Sequence, residues 1–362
     1  MLKQPSQDLR YVSDGEKASG LAAAWTSLST RSADAAPSSG PELVLPFLGS
    51  ANIASVYAKD QLLLAMPLER HALFDQSHGS PITNSGICHA DRLNGQAAVS
   101  FLLTKRGRPL VLRAIPVQSQ FFAMFETAAA HVAVLQSWQR ACLLISGDFE
   151  SWREGSFDAK RRKELKRLRN RLSEQGDLQI LILGKGANPR PFIDDFLKLE
   201  AAGWKGDRGT ALAKHPQQAA ATETSLDALH KAGKLRFWSM TLNGQTIASL
   251  FAFVDGKKAS LGKIAYDESF AKYSPGVLLI MDATEDFFRD GTITEVDSSA
   301  IPAHPMIDRL WRGRIAMADV LVAPAAVSRL RFQLIVIVEK LRRTFRAALK
   351  TVVYRVSGKS RS

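Results

Sequence analysis

The sequence predicts an α/β fold, α+β in detail, with mixed sheets flanked by helices, and three observations predict it. Apolar runs of strand length alternate with runs of helical period along most of the chain. Residues 234–267 hold alternating apolar runs with Asn243-Gly244 between the first two and Asp255-Gly256 just beyond the second. Asn-Gly between such runs is the strongest short hairpin signal, so the stretch predicts a three-stranded antiparallel meander. The period then switches: Tyr273-Ser274-Pro275-Gly276 leads into a segment where Leu278, Met281, Ala283 and Phe287 fall at helical spacing. Proline suits a helix start because its missing N–H would have no partner there.

Taken in order, residues 1–40 are rich in Ala, Ser and Asp and predict a loosely ordered start with one helix. A first lobe over 41–150 follows. In it, strands at 53–57 and 62–67 flank Lys59-Asp60-Gln61, and a turn-rich loop runs from Ser77 to Gly86. Helices at 93–105 and 121–137 alternate with strands at 109–114 and 141–146. The second lobe, 151–325, opens with a basic helix over 158–175 that places Leu165, Leu168 and Leu172 on one stripe. A strand at 178–183, helices at 191–202 and 216–232, the meander, the helix after Pro275 and strands at 292–296 and 316–323 complete it. Residues 326–362 predict a basic amphipathic helical tail.

At 362 residues, 46% of them hydrophobic, the chain can build two domains or one large one. No segment reaches the roughly 20 apolar residues of a membrane span, and Lys3 and Arg10 are not followed by the apolar stretch of a secretory signal. A cytoplasmic location is the expectation. Two distant cysteines, Cys88 and Cys142, suit a reducing compartment and suggest no disulfide framework. The net charge of +13 is concentrated: residues 156–176 carry +5 and residues 329–362 carry +9, leaving −1 for the rest. That pattern argues against a surface built throughout for nucleic acid.

A helix that opens at the end of a meander strand presents unpaired N–H groups and a positive dipole end, which suits a pyrophosphate. Gly276 permits close approach there. The neighbouring strands 258–266 and 292–297 are expected to splay into a slot for an extended thioester chain. Amine attack on a thioester needs a proton acceptor and a donor for the leaving thiolate. Asp267 and Asp297, at the ends of those two strands, are candidate bases, as is His304, whose ordinary pKa is near neutral. Tyr266 or Tyr273 could protonate the thiolate. Each has a plainer reading: a cap or loop hydrogen bond for the aspartates, a loop position for His304, a core position for Tyr266. Glu200, Trp204 and Lys205 form a polar-aromatic cluster that could clamp a small acceptor, although Trp204 could equally pack between lobes.

The segments Leu199 to Leu212, Tyr266 to Leu279 and Val296 to Arg314, in this order, resemble the signature segments of the cellulose-biosynthesis-type (CelD/BcsL-like) branch of the GNAT N-acyltransferase superfamily. The resemblance covers about 150–320 strongly and the first half weakly, through Met66-Pro67-Leu68 and Gly79-Ser80-Pro81. It implies two GNAT-like lobes packed as in Fem-type aminoacyl transferases. It also implies an acyl-CoA, most simply acetyl-CoA, held in the second lobe by Ile264, Ala265, Tyr273, Ser274, Pro275, Gly276, Val277 and Leu278, with no metal. The loop Lys272 to Gly276 carries one glycine where the usual GNAT pyrophosphate pattern has more. The implied reaction is acyl transfer to a small-molecule amine, such as an amino sugar or an envelope or polysaccharide precursor. Two rivals remain open: a Fem-like transferase using aminoacyl-tRNA, the one reading with a nucleic-acid partner, and a catalytically degenerate, membrane-associated assembly factor.

The tail favours the last of these. Phe332, Ile335, Val338, Leu341, Phe345, Leu349 and Val352 recur at three and four among Arg342, Arg343, Arg346 and Lys350. Such a helix can lie on an anionic membrane, here the inner face, with about 1 kcal/mol per basic residue, or it can simply pack on the second lobe. No nucleotide-binding P-loop, HExxH, GxSxG or GxGxxG motif occurs, and the seven histidines lack metal spacing.

Overall fold

The computed structural model describes residues 9–356, apart from 14–17, 33, 35, 49–51, 80–81, 83–88, 204–205 and 207–208. The predicted meander forms strands β9 (Leu235–Leu242), β10 (Gln245–Asp255) and β11 (Lys258–Tyr266), numbered in chain order with the strands given below. Asn243 and Gly244 both take positive φ, 50° and 77°, the backbone that matches a two-residue turn to strand twist.

The first half supplies β1 (Leu9–Ser13), β2 (Asn52–Ala58), β3 (Gln61–Arg70), β4 (Asp75–Ser77), β5 (His89–Ala90), β6 (Leu110–Pro116) and β7 (His131–Leu144). Its helices are α1 (Ala18–Arg31), α2 (Pro41–Val44), α3 (Gly95–Arg106) and α4 (Gln120–Ala128). The second half supplies α5 (Phe149–Ser156), α6 (Ala159–Ser173), β8 (Leu178–Ile182), α7 (Arg190–Ala202), α8 (Pro216–Lys231), α9 (Pro275–Asp290), β12 (Glu295–Asp297), β13 (Gly313–Ala323) and α10 (Arg329–Val356).

All the strands join one mixed sheet in the order β1-β2-β3-β4-β6-β13-β7-β12-β11-β10-β9-β8, with β5 beside β3. Each half repeats one motif: a strand, a helix, and a return strand parallel to the first, β4 with β6 and β11 with β12. The two halves then exchange strands. β7, from the first half, lies against β12, and β13, from the second, lies against β6. Eleven residue pairs join β7 to β13 at the centre, so the lobes share strands across the boundary expected near residue 150.

Two differences from expectation have local causes. The helix expected over 121–137 stops at Ala128, and the chain turns into β7 at His131, because backbone pairing with β13 takes the stretch from His131 to Cys142, with a bulge at Leu135, into the sheet. The N-terminal segment contributes more than a loose start and a helix. β1 pairs with β2, while Trp25 and Leu28 of α1 are buried with Val44 and Leu62. The helices cover both faces of the second lobe. α6 and α9 bury Leu168, Leu172, Leu278 and Phe287 with Trp238 and Met240 on one face. On the other, α7 and α8 bury Phe196 and Leu226 with Phe237 and Phe251.

Candidate active site

β11 pairs with β12 over three residues, Lys258 to Ser260 opposite Glu295 to Asp297, and the two strands then part. The chain beyond β12 stays with β7, since the Ser298 N–H donates to the Ala141 carbonyl at 3.2 Å. β11 bends the other way. Its pairing with β10 slips between Leu261 and Ile264, leaving Gly262 and Lys263 together opposite Phe251. This is a bulge, which bends a strand and removes a residue from the ladder. Gly262 is required for it, because a Cβ there would lie 2.1 Å from the Phe251 ring.

The open end of the slot is a tight strand-to-helix turn. Asp267 caps a 3₁₀ turn, accepting from the Ser269 N–H at 2.9 Å. Ser274 then takes φ 54°, ψ 51°, and Pro275 and Gly276 begin α9 with no side chain capping the helix start. A Cβ on Gly276 would come 3.1 Å from Tyr266 and 3.4 Å from Ile264. The first turn of α9 therefore rests directly on the end of β11. Tyr273 is buried, with the Lys272 ammonium 4.9 Å over its ring.

Tyr266, Asp267 and Glu268 also line a groove of about 430 Å³ with Asp195, Lys198 and Thr246. Burial, then the Glu268 carboxylate, holds the Tyr266 phenol above the usual tyrosine range. Glu200 lines a small adjoining hollow with Ile264, Ala265 and Tyr266. Its carboxylate is buried, accepts from the Leu212 N–H at 2.9 Å and meets the Lys263 ammonium at 3.3 Å. Tyr266, Asp267 and Glu200 are thus gathered at one end of β11.

Asp297 and His304 are not gathered with them. Asp297 lies opposite Ser260, at the root of the slot, six residues of β11 or about 20 Å from Tyr266. Its Oδ2 accepts from the guanidinium of Arg140 at 3.1 Å, and its Oδ1 from the Ser299 N–H at 2.8 Å. Arg140, 1% exposed, also donates to the Ala300 carbonyl at 3.2 Å. Arg140 comes from β7, so the first lobe supplies the cation that pins this loop of the second. The His304 Nδ1 accepts from the Met306 N–H at 3.3 Å, in the loop that leads to the buried Trp311. Trp204 and Lys205 lie outside the described residues.

Two features escaped the sequence reading. The bulge had a signal, a lone glycine inside a strand pattern. Arg140 had none, because its partner is 157 residues away. No group of three or more metal-ligating side chains that could hold a metal ion occurs among the described residues.

The site is thus a bulged strand splayed from its parallel neighbour with an uncapped helix at its end. Residues 159–303 match the family model described as an acetyltransferase (GNAT) domain. Among solved structures, the chain is similar to the C-terminal domain of a protein described as a lysylphosphatidylglycerol synthetase from Agrobacterium fabrum. The identity is 10%, the TM-score 0.57, and the match covers 88% of this chain and 95% of that one. It is similar also to a conserved protein of unknown function from Bacteroides thetaiotaomicron (11%, TM-score 0.55, 87% and 100%) and to FemX (9%, TM-score 0.54, 90% and 100%). Such identities establish likeness of fold alone, and the coverage spans both halves of the chain. No curated protein matches the chain.

Proposed function

We propose that the chain is an N-acyltransferase that moves an acyl group, most simply acetyl, from a CoA thioester to a small amine by direct attack in a ternary complex. The observation that carries the reading is the slot: the edge of β11 from Leu261 to Tyr266 has no strand partner on its β12 side among the described residues, and it ends at an uncapped helix. Residues Ile264 to Tyr266 would pair with the extended pantetheine arm. The turn from Ser274 to Leu278 would hold the pyrophosphate by backbone N–H groups and the helix dipole. The bulge at Gly262-Lys263 frees backbone polar groups from the ladder, and an N–H there can polarise the thioester carbonyl.

In the reaction the amine nitrogen bonds to the carbonyl carbon, the C–S bond breaks, and the amine gives up a proton while the thiolate gains one. Tyr266, protonated and beside the turn, is the group we assign to the thiolate. Asp267, in the same groove, accepts the amine's proton through a water. Asp297, held on both oxygens, acts as an orienting anion, and His304 is left as a loop anchor. The acceptor groove beside Asp195 and Lys198 suits a small polar amine. The resemblance to the cellulose-biosynthesis-type branch points to an envelope or polysaccharide precursor, handled on the cytoplasmic side.

One observation favours the aminoacyl-tRNA reading. α6 presents a row of cations, and Arg153, Arg162, Lys163, Lys166 and Arg169 line a cleft of about 520 Å³ between α5, α6 and α9. Calorimetric titration of acetyl-CoA into the wild-type chain and Gly276→Trp separates the two. Binding lost in the variant supports the donor slot. If no CoA ester binds the wild type, the acetyltransferase reading falls, and a salt-sensitive affinity for charged tRNA becomes the next measurement.

A further inference from the structure

α10 is apolar on two opposite faces. One is buried: Phe332 and Ile335 pack with Leu135 and Leu321 of the sheet and with Phe74 in the loop before β4. One turn on, Glu339 is 2% exposed and takes hydrogen bonds from Arg342 (2.7 and 2.6 Å) and Arg343 (2.9 Å). Arg343 then reaches Asp319 of β13 at 2.5 Å. At 100° per residue, positions 332, 335, 339 and 343 share one side of the helix, and 330, 334, 337, 341 and 345 share the opposite side.

That opposite side should be polar if solvent were its only neighbour. It is Leu330, Leu334, Ile337, Leu341 and Phe345, exposed by 69, 54, 54, 65 and 65%. Seven of the fifteen large exposed apolar side chains among the described residues belong to this one helix. Exposed cations flank the stripe on both sides, Arg329 and Lys340 on one and Arg331 and Arg346 on the other. The helix carries eight basic residues, and its one acid, Glu339, is buried.

We propose that this outer face of α10 docks the protein on an anionic lipid surface, with the stripe among the acyl chains and the flanking cations at the headgroups. Charge decides between this and a second copy of the chain. Face-to-face pairing would bring two helices of net charge +7 within a Debye length of each other. An anionic bilayer satisfies the apolar stripe and the cations together. The sheet already holds the other face, so docking needs no unpacking of the helix. The inference is independent of the acyltransferase reading.

The test is sedimentation of the full-length protein with vesicles of phosphatidylcholine plus phosphatidylglycerol, and with phosphatidylcholine alone, beside Leu341→Glu/Phe345→Glu. The wild type should bind the mixed vesicles, less at high salt, and weakly the neutral ones. The double variant should lose about a hundredfold in affinity, the factor expected for two apolar anchors, with its thermal unfolding unchanged. Should that variant misfold, Lys340→Glu/Arg346→Glu, altered only on the polar flanks, should show the same loss on anionic vesicles. Absence of binding by the wild type, or wild-type binding by a folded variant, overturns the proposal. A wild-type dimer that the double variant splits, or capture of an acidic protein with no vesicle binding, also overturns it and reassigns the face.

Discussion

The two lobes repeat one motif, a strand, a helix and a parallel return strand, yet one copy is sealed and the other open. In the first lobe the approach to α3 is filled by the chain itself. The buried Asp91 carboxylate accepts from the N–H groups of Leu93 (3.0 Å) and Asn94 (2.9 Å) and from Arg31 (3.1 Å). A Cβ on Gly95 would lie 2.6 Å from the Met124 sulfur. The edge of β6 that faces β4 is occupied as well: the Ser77 hydroxyl accepts from the Arg113 N–H at 2.9 Å. Asp75, 1% exposed, lies under Arg106 and Arg108. Neither helix has a side-chain cap on its own first turn; in the second lobe the approach to α9 is the bare turn at Ser274, and the return loop is held from below by Arg140. The difference teaches that this topology creates an anion-seeking end wherever it occurs. In the first copy the chain's own carboxylate and side chains crowd the approach to that end, and in the second they leave it open.

The largest expected effect breaks the support under the open copy. Arg140→Met leaves the Asp297 charge largely buried without its cation, and denaturant unfolding should show a loss of about 3–5 kcal/mol. A loss under 1 kcal/mol would mean that the ion pair does not hold the two lobes in register. Next is the seal of the closed copy. Asp91→Ala removes the acceptor of two backbone hydrogen bonds and an ion-pair partner and should cost about 2–3 kcal/mol, with acetyl-CoA affinity unchanged. A matching drop in donor affinity would show that the copies do not act separately. The smallest effect lies at the seam. Cys142, beside Asp297 on β7, is pushed up to about 11 by burial and then by the charges of Glu295 and Asp297. Because the folded thiol resists ionising, its contribution to stability is intact below the ordinary thiol range, near 9, and is lost as pH rises towards 11. In a Cys88→Ser background, alkylation of folded protein at pH 8 should be about a hundredfold slower than that of an ordinary thiol. Rapid labelling would count against the buried seam.

What the sequence disclosed follows from the range of each interaction. The meander was legible because Asn243-Gly244 and Asp255-Gly256 act within a few residues, and α9 because Pro275 and its apolar stripe are local. The beginning of β7 was not, since Val132, Val134 and Leu135 read equally as the end of an apolar helix, and what decides is pairing with residues 313–323. The same holds at the site. The turn at Ser274 to Gly276 was legible as a helix start. Glu200 read as an acceptor clamp by type, and the structure holds it between Lys263 and the Leu212 N–H, contacts that no local pattern encodes.

The strand exchange also has a consequence for how the chain is made. β6 near residue 110, paired with β4 on one edge, finds its second sheet neighbour only when β13 arrives, some 200 residues later, as the contact between Ala114 and Asp319 records. A nascent first lobe leaving the ribosome therefore carries an unpaired strand edge through most of translation, and its apolar core stays incomplete without Ala318, Val320 and Val322. Folding of the first lobe is tied to the arrival of β13. Chains cut short anywhere before residue 313 should be substrates for chaperones and proteases rather than free-standing half-molecules.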